Sequence, residues 1–179
     1  MSDTKFPDYY PSIKDVQKNT GFKTDIAALG ALETLYWLEN GAPHKFDGLE
    51  GKFAFDMGST VYIYDDEEKE FAYASAPSCG TACCIAGAVE VFQKKGIKEQ
   101  INDGIDTIVT SLSDEEHNLD DRHNLYNLFM GNYTYPLELI KPKEGYKVLF
   151  HYLTTGEVDW KNAFSKKRLD KFEREGYFD

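Results

Sequence analysis

Residues Ser78–Phe92 read SCGTACCIAGAVEVF and hold all three cysteines of the chain. Ser78 has a side chain suited to capping a helix, because its hydroxyl accepts a hydrogen bond from a first-turn N–H with no intrahelical partner. A helix opening at Ser78 is therefore expected. From Ala82 onward, Cys83, Cys84, Ile85, Ala86, Gly87, Ala88 and Val89 are apolar or small on every face, as in a helix enclosed by its neighbours. Free cysteine is among the most often buried residues, and small residues let other backbones approach closely. The pattern favours a central, structural helix. A chemical reading stands beside it: Cys79, at the positive end of that helix, would have its thiolate stabilised and would be reactive.

The rest of the chain has the material to wrap such a helix. Of 179 residues, 41% are apolar and 15% aromatic, with 12 Tyr, 12 Phe and 2 Trp, enough for one core in a single domain spanning residues 1–179. The net charge of −11 argues against direct contact with nucleic acid or an anionic membrane, where Lys and Arg must dominate to displace counterions. The same charge attracts basic protein partners. Three cysteines within six positions make no disulfide framework, so a reducing cytoplasm is the expected setting. Met1–Tyr10 lacks the apolar run of a secretion signal, and no stretch approaches the roughly 20 apolar residues of a membrane span.

Upstream, residues 1–23 read as an aromatic arm with Pro7, Pro11 and Tyr9-Tyr10, and a short helix over Ser12–Lys18 ending at Asn19-Thr20-Gly21. Thr24 or Asp25 caps a strong helix in which Ile26, Leu29, Leu32, Leu35, Tyr36 and Leu38 recur at helical spacing, and Asn40-Gly41 stops it. Phe46, Phe53 and Phe55 are expected to pin a loop across the core. Thr60–Tyr64 and Glu70–Ala74 have strand composition, and the acidic link between them predicts a small antiparallel ribbon that must lie against helices.

Downstream, Ile97–Leu112 reads as a helix, Ser113 and Glu116 as the capping box of another, and Arg122–Phe129 as a third ending at Gly131. A helix over Gly145–Thr155 places Tyr146, Leu149, Phe150 and Leu153 on one face, and Gly156 ends it. Asp159 caps a last helix, Trp160–Glu175, whose exposed side carries Lys166, Lys167, Arg168, Lys171 and Arg174; residues 161–179 are thus a charged C-terminal element. The fold class is α+β: a mainly helical single domain with a small antiparallel β-ribbon packed on the central buried helix.

Chemistry is sparsely signposted. Neither a phosphate-cradling glycine loop nor calcium-loop spacing is present. Cys79 and Cys83 lie four apart, and His44, His117, His123 and His151 exist to join them, but no second paired motif completes a metal site. No metal or cofactor is expected. Cys79 with His123 or His151 and an orienting carboxylate or amide would follow the logic of thiol hydrolases. His151, flanked by Phe150 and Tyr152, equally suits the edge of a core.

Four motifs occur in order: Phe55-Asp56-Met57; Cys79-Gly80-Thr81-x-x-Cys84-Ile85-Ala86-Gly87; Leu128-Phe129-x-Gly131; and Thr155-Gly156-Glu157-Val158-Asp159-Trp160. In these the chain resembles, over roughly Ala28–Trp160, a family of small uncharacterised phage and bacterial proteins. The resemblance implies a phage accessory protein acting in the host cytoplasm, and it supplies no activity. Its motif residues Cys79, Gly80, Thr81, Cys84, Gly87, Gly156, Asp159 and Trp160 read as structural, the last three as a tight helix-to-helix corner with Trp160 for a wedge. The leading expectation is a non-enzymatic protein that binds and modulates a host protein, such as a defence or nucleic-acid-handling factor, through an acidic and aromatic surface. The alternatives are a cysteine-dependent hydrolase or transferase using Cys79, and a virion-associated structural component.

Overall fold

Local capping chemistry delimits most of the helices. A computed structural model of the chain describes residues 6–43, 53–55, 57, 81–83, 85, 88, 89, 92, 128 and 135–177. Among these it is mainly helical, with α1 (Ile13–Thr20), α2 (Asp25–Glu39), α3 (Pro142–Thr155), α4 (Trp160–Ala163) and α5 (Lys166–Arg174). Ser12 Oγ accepts the Asp15 N–H at 3.2 Å and the Asp15 carboxylate accepts the Ser12 N–H at 3.3 Å, a reciprocal box that starts α1. Gly21, at φ +75°, ends it. Thr24 starts α2 by accepting the Ala27 N–H at 3.2 Å.

Among the described helices, α2 is buried on several sides. Ala28, Ala31, Leu32, Leu35 and Leu38 are buried, and so are Gly30, Glu33, Thr34 and Trp37 on its other sides. Helices α1 and α3 pack against it. The Trp37 ring meets those of Phe55 and Phe92, each with centroids 6.2 Å away, and its Nε1–H donates to Pro43 O at 3.0 Å. Burial of each such apolar side chain contributes about 1.5–3 kcal/mol. Ile26, expected on the buried stripe, is 63% exposed in the first turn of α2.

The cysteine-bearing stretch divides in two. Ile85, Ala88, Val89 and Phe92 are helical and buried at i, i+3, i+4 and i+7, one face of a helix turned to the core. Thr81–Cys83 is instead strand β2, paired in parallel with β1 (Phe53–Phe55), Phe53 opposite Thr81 and Phe55 opposite Cys83. This corrects the expectation of a helix at Thr81–Cys83 and of a loop at Phe53–Phe55, while Ser78–Gly80 lie outside the described residues. The β-branched and aromatic content suits extended backbone, and the intervening residues 56–80 are long enough for the crossover a parallel pair requires. The described β element is therefore a parallel pair. The antiparallel ribbon expected of Thr60–Tyr64 and Glu70–Ala74 lies outside the described residues, as do the helices expected over Ile97–Leu112 and after Ser113.

Helix α3 lies against both N-terminal helices and begins earlier than its spacing suggested. Pro142 occupies its first turn, where a missing N–H costs nothing, and the Lys141 N–H donates to Glu144 Oε2 at 2.9 Å. Val148, Leu149, Tyr152 and Leu153 are buried; Tyr146 and Phe150 are half-buried and turn toward the arm. Gly145 lies so close to Phe55 that a Cβ there would come within 2.8 Å of the ring. At the far end, the Asn19 side-chain amide of α1 donates to Leu153 O at 3.1 Å and Thr154 O at 2.8 Å, carbonyls that a helix end leaves without intrahelical partners. Tyr152 adds its hydroxyl to Thr20 O at 3.4 Å.

Gly156, at φ +82°, turns the chain out of α3, and Asp159 caps α4 by accepting the Asn162 N–H at 2.9 Å. That hydrogen bond is the main reason the Asp159 carboxyl is held below its ordinary range. Trp160 is buried and stacks on Phe164 with centroids 6.3 Å apart. The last helix is not continuous: Phe164 is extended, its ring inserted between Trp160 and Phe172, so α4 and α5 are separate. Arg168 also departs from its expected exposure. Its Nε lies 2.8 Å from Glu144 Oε1, its Nη2 donates to Glu144 Oε2 at 3.0 Å and to Leu139 O at 2.6 Å, and its guanidinium covers the Phe172 ring at 4.9 Å. Lys166, Lys167, Lys171 and Arg174 remain exposed. Among the described residues no helix is long and apolar enough to cross a membrane.

Candidate functional site

Two prolines and two tyrosines shape the surface where charge and aromatic area meet. The Tyr10 N–H donates to Pro7 O at 2.9 Å, closing a four-residue turn over Pro7–Tyr10 that folds the arm back toward the end of α2. There Tyr9 Oη donates to Glu39 Oε1 at 2.5 Å and Tyr10 Oη donates to Glu39 Oε2 at 2.8 Å, so adjacent hydroxyls engage both oxygens of one exposed carboxylate. Around them, Phe6 stacks on Tyr10 at 6.0 Å, Phe150 meets Tyr10 edge-on at 6.3 Å, and Tyr146 stacks on Phe150 at 5.8 Å. The platform thus joins the arm, the last turn of α2 and the outer face of α3. Tyr10 is its buried anchor, whereas Tyr9 is 59% exposed.

The carboxylate changes how these phenols titrate. The hydrogen bond to Glu39, with smaller contributions from desolvation and the Glu39 charge, pushes Tyr9 up to about 12. Burial raises Tyr10 further, with Glu39 adding to it, and burial followed by the Glu39 charge raises Tyr146. A phenol whose folded pKa lies above its unfolded value near 10 is fully stabilising below pH 10. That contribution is lost as pH rises through about 12 for Tyr9, and at still higher pH for Tyr10. In an NMR titration of the tyrosine ring carbons, Glu39→Gln should bring Tyr9 back toward 10 and lower Tyr10 while leaving it raised, since burial is the larger cause there. Unchanged titration of Tyr9 in the variant would contradict the hydrogen-bonding assignment.

The residues proposed for chemistry from sequence are placed as follows. Cys79 and His123 lie outside the described residues, as do Gly80, Cys84 and Gly87. Thr81 is in β2, opposite Phe53. His151 is half-buried on α3. Gly156, Asp159 and Trp160 form the corner between α3 and α4 described above. Among the described residues no three His, Cys, Asp or Glu side chains converge as metal ligands.

Sequence reasoning anticipated an aromatic arm but missed Glu39, which reads as an ordinary solvated acid closing a helix. The available signal was the Tyr9-Tyr10 pair set between Pro7 and Pro11, because a proline-bounded aromatic pair needs a surface to rest on. Compared with models of protein families, with curated proteins and with solved structures, the chain matches none.

Proposed function

We propose that the chain is a phage-type accessory protein that acts in the host cytoplasm, binding and modulating a host protein such as a defence or nucleic-acid-handling factor. The observation carrying this reading is the platform of Tyr9, Tyr10 and Glu39, in which an exposed ring and a carboxylate are held in fixed relation on a chain of net charge −11. Tyrosine supplies large contact area at low conformational cost and is enriched where proteins meet. A strongly negative surface adds steering toward a basic partner. The acidic link of the ribbon expected over residues 60–74 would extend the same character.

Capture from host lysate on immobilised chain, washed at rising salt, tests this with Tyr9→Ala as the matched control. Tyr9 is exposed but bonds Glu39, so the variant should stay folded with a melting temperature only slightly below that of the parent. The expected result is a discrete host protein held at low salt, released as salt screens the charges, and absent from the variant. Recovery of no protein at any salt, or equal recovery by both chains, would count against the proposal.

A further inference from the structure

We infer that Asn40 is a site of spontaneous deamidation, held unreactive by the folded end of α2 and converted irreversibly once that turn opens. The inference is independent of the docking reading above. Asn40-Gly41 is the single Asn-Gly pair of the chain, and both residues are exposed. In such a pair the Gly41 backbone nitrogen, once deprotonated, attacks Cγ of the Asn40 side chain, and glycine has no Cβ to obstruct that approach. A new N–Cγ bond closes a five-membered imide, and Nδ2 leaves as ammonia. Water then adds to either imide carbonyl, reopening the ring as aspartate or as isoaspartate, whose main chain runs through Cγ. The net change is amide plus water to carboxylate plus ammonium, with nothing oxidised or reduced.

The folded cap blocks the first step. At ψ +12° the Gly41 nitrogen is turned away from the Cβ side of Asn40, so the ring cannot close. Both the leaving and the attacking nitrogen are also engaged: Nδ2 donates to Tyr36 O at 2.7 Å, and the Gly41 N–H donates to Leu38 O at 3.0 Å. The turn that fixes them is strained, because Gly41 at φ +82° is followed by Ala42 at φ +51°, a left-handed conformation that a Cβ disfavours. It is held by the Ala42 N–H on Trp37 O at 2.8 Å and by the Trp37 Nε1–H on Pro43 O at 3.0 Å. Helix ends open locally more readily than cores do, and this one releases strain as it opens. The product prevents reclosing. A carboxylate at position 40 cannot donate to Tyr36 O, and it adds negative charge at the negative end of α2, beside Glu39. Isoaspartate also lengthens the main chain by one carbon just ahead of the Gly41 and Ala42 N–H groups, so their bonds to Leu38 O and Trp37 O do not re-form. Glu39, which the hydroxyls of Tyr9 and Tyr10 engage, is the adjoining residue, so conversion loosens the arm as well.

The full chain is incubated at mildly alkaline pH, folded and in guanidinium chloride, with released ammonia measured and the converted residue located by peptide mapping. The folded chain should convert about tenfold to a hundredfold more slowly than the unfolded one, the factor set by local opening of a terminal turn. Asn19 and Asn162, followed by Thr20 and Ala163, should stay unconverted over the same period. Gly41→Ala should slow conversion about tenfold or more in both states, although it weakens the fold. That result separates direct attack by the Gly41 nitrogen from simple loss of stability, which would speed conversion. In the converted chain, hydrogen exchange at the Gly41 and Ala42 amides should be about tenfold faster than in the parent. Equal rates in the folded and unfolded states, or no conversion of the folded chain after about a hundred unfolded-state half-times, would overturn the inference. So would undiminished conversion of Gly41→Ala, or exchange at Gly41 and Ala42 that conversion leaves unaltered.

Discussion

Gly156→Ala is expected to destabilise the fold by about 3 kcal/mol, lowering the melting temperature by about 6–12 °C for a chain of this size. Two costs combine. At φ +82° any side chain is strained, and a Cβ built there falls 2.4 Å from Asn19 O, a backbone atom that cannot rotate away. Relieving the overlap means moving α1 from the end of α3, which breaks the Asn19 bonds to Leu153 O and Thr154 O. Gly41 separates the two costs, since it has the same φ of +82° and, among the described residues, nothing lies within 4 Å of a Cβ built there. Gly41→Ala should therefore cost only about 1 kcal/mol. Equal losses in a chemical-denaturation comparison would show that the approach of Asn19 is of no consequence.

Phe172→Ala should cost about 3 kcal/mol or more, as expected when a fully buried aromatic side chain is truncated. Phe172 holds α5 to the rest of the described structure: its ring meets Phe164 edge-on at 5.4 Å and Tyr177 at 5.9 Å, and Arg168 covers it. With the ring gone, Arg168 loses its packing surface while keeping Glu144, a largely buried pair whose desolvation cost offsets much of its attraction and which does not hold a nine-residue helix alone. Hydrogen exchange should accelerate across residues 166–174 in the variant. Exchange there at the parent rate, with stability unchanged, would mean that α5 is held by something other than Phe172.

What the sequence made legible was mainly punctuation. Thr24, Gly21, Gly156 and Asp159 announce helix ends because capping depends on a side chain and backbone groups only a few residues away. The reciprocal box at Ser12 and Asp15 is of the same kind. Contacts between distant segments left no such mark. The parallel register of Phe53–Phe55 with Thr81–Cys83 cannot be read from either segment alone, and apolar, small residues after Gly80 fit a buried strand as well as a buried helix. Arg168 was read from the alternating charges around it, whereas Phe172 one turn later decides where it lies. For the platform, Tyr9 and Tyr10 were visible as an aromatic pair, but their partner is nearly thirty residues away and chemically unremarkable in its own helix.

The bond from Asn19 to the end of α3 has a consequence for how the chain is made. During synthesis α1 and α2 emerge first, yet the surface that covers them is supplied by residues 142–155. At translation rates of about 5–20 residues per second, the ribosome needs roughly ten seconds to deliver that surface. Through this interval the apolar sides of α2 have no α3 to rest against, so the nascent chain is most vulnerable to aggregation and to chaperone capture before its last quarter has appeared.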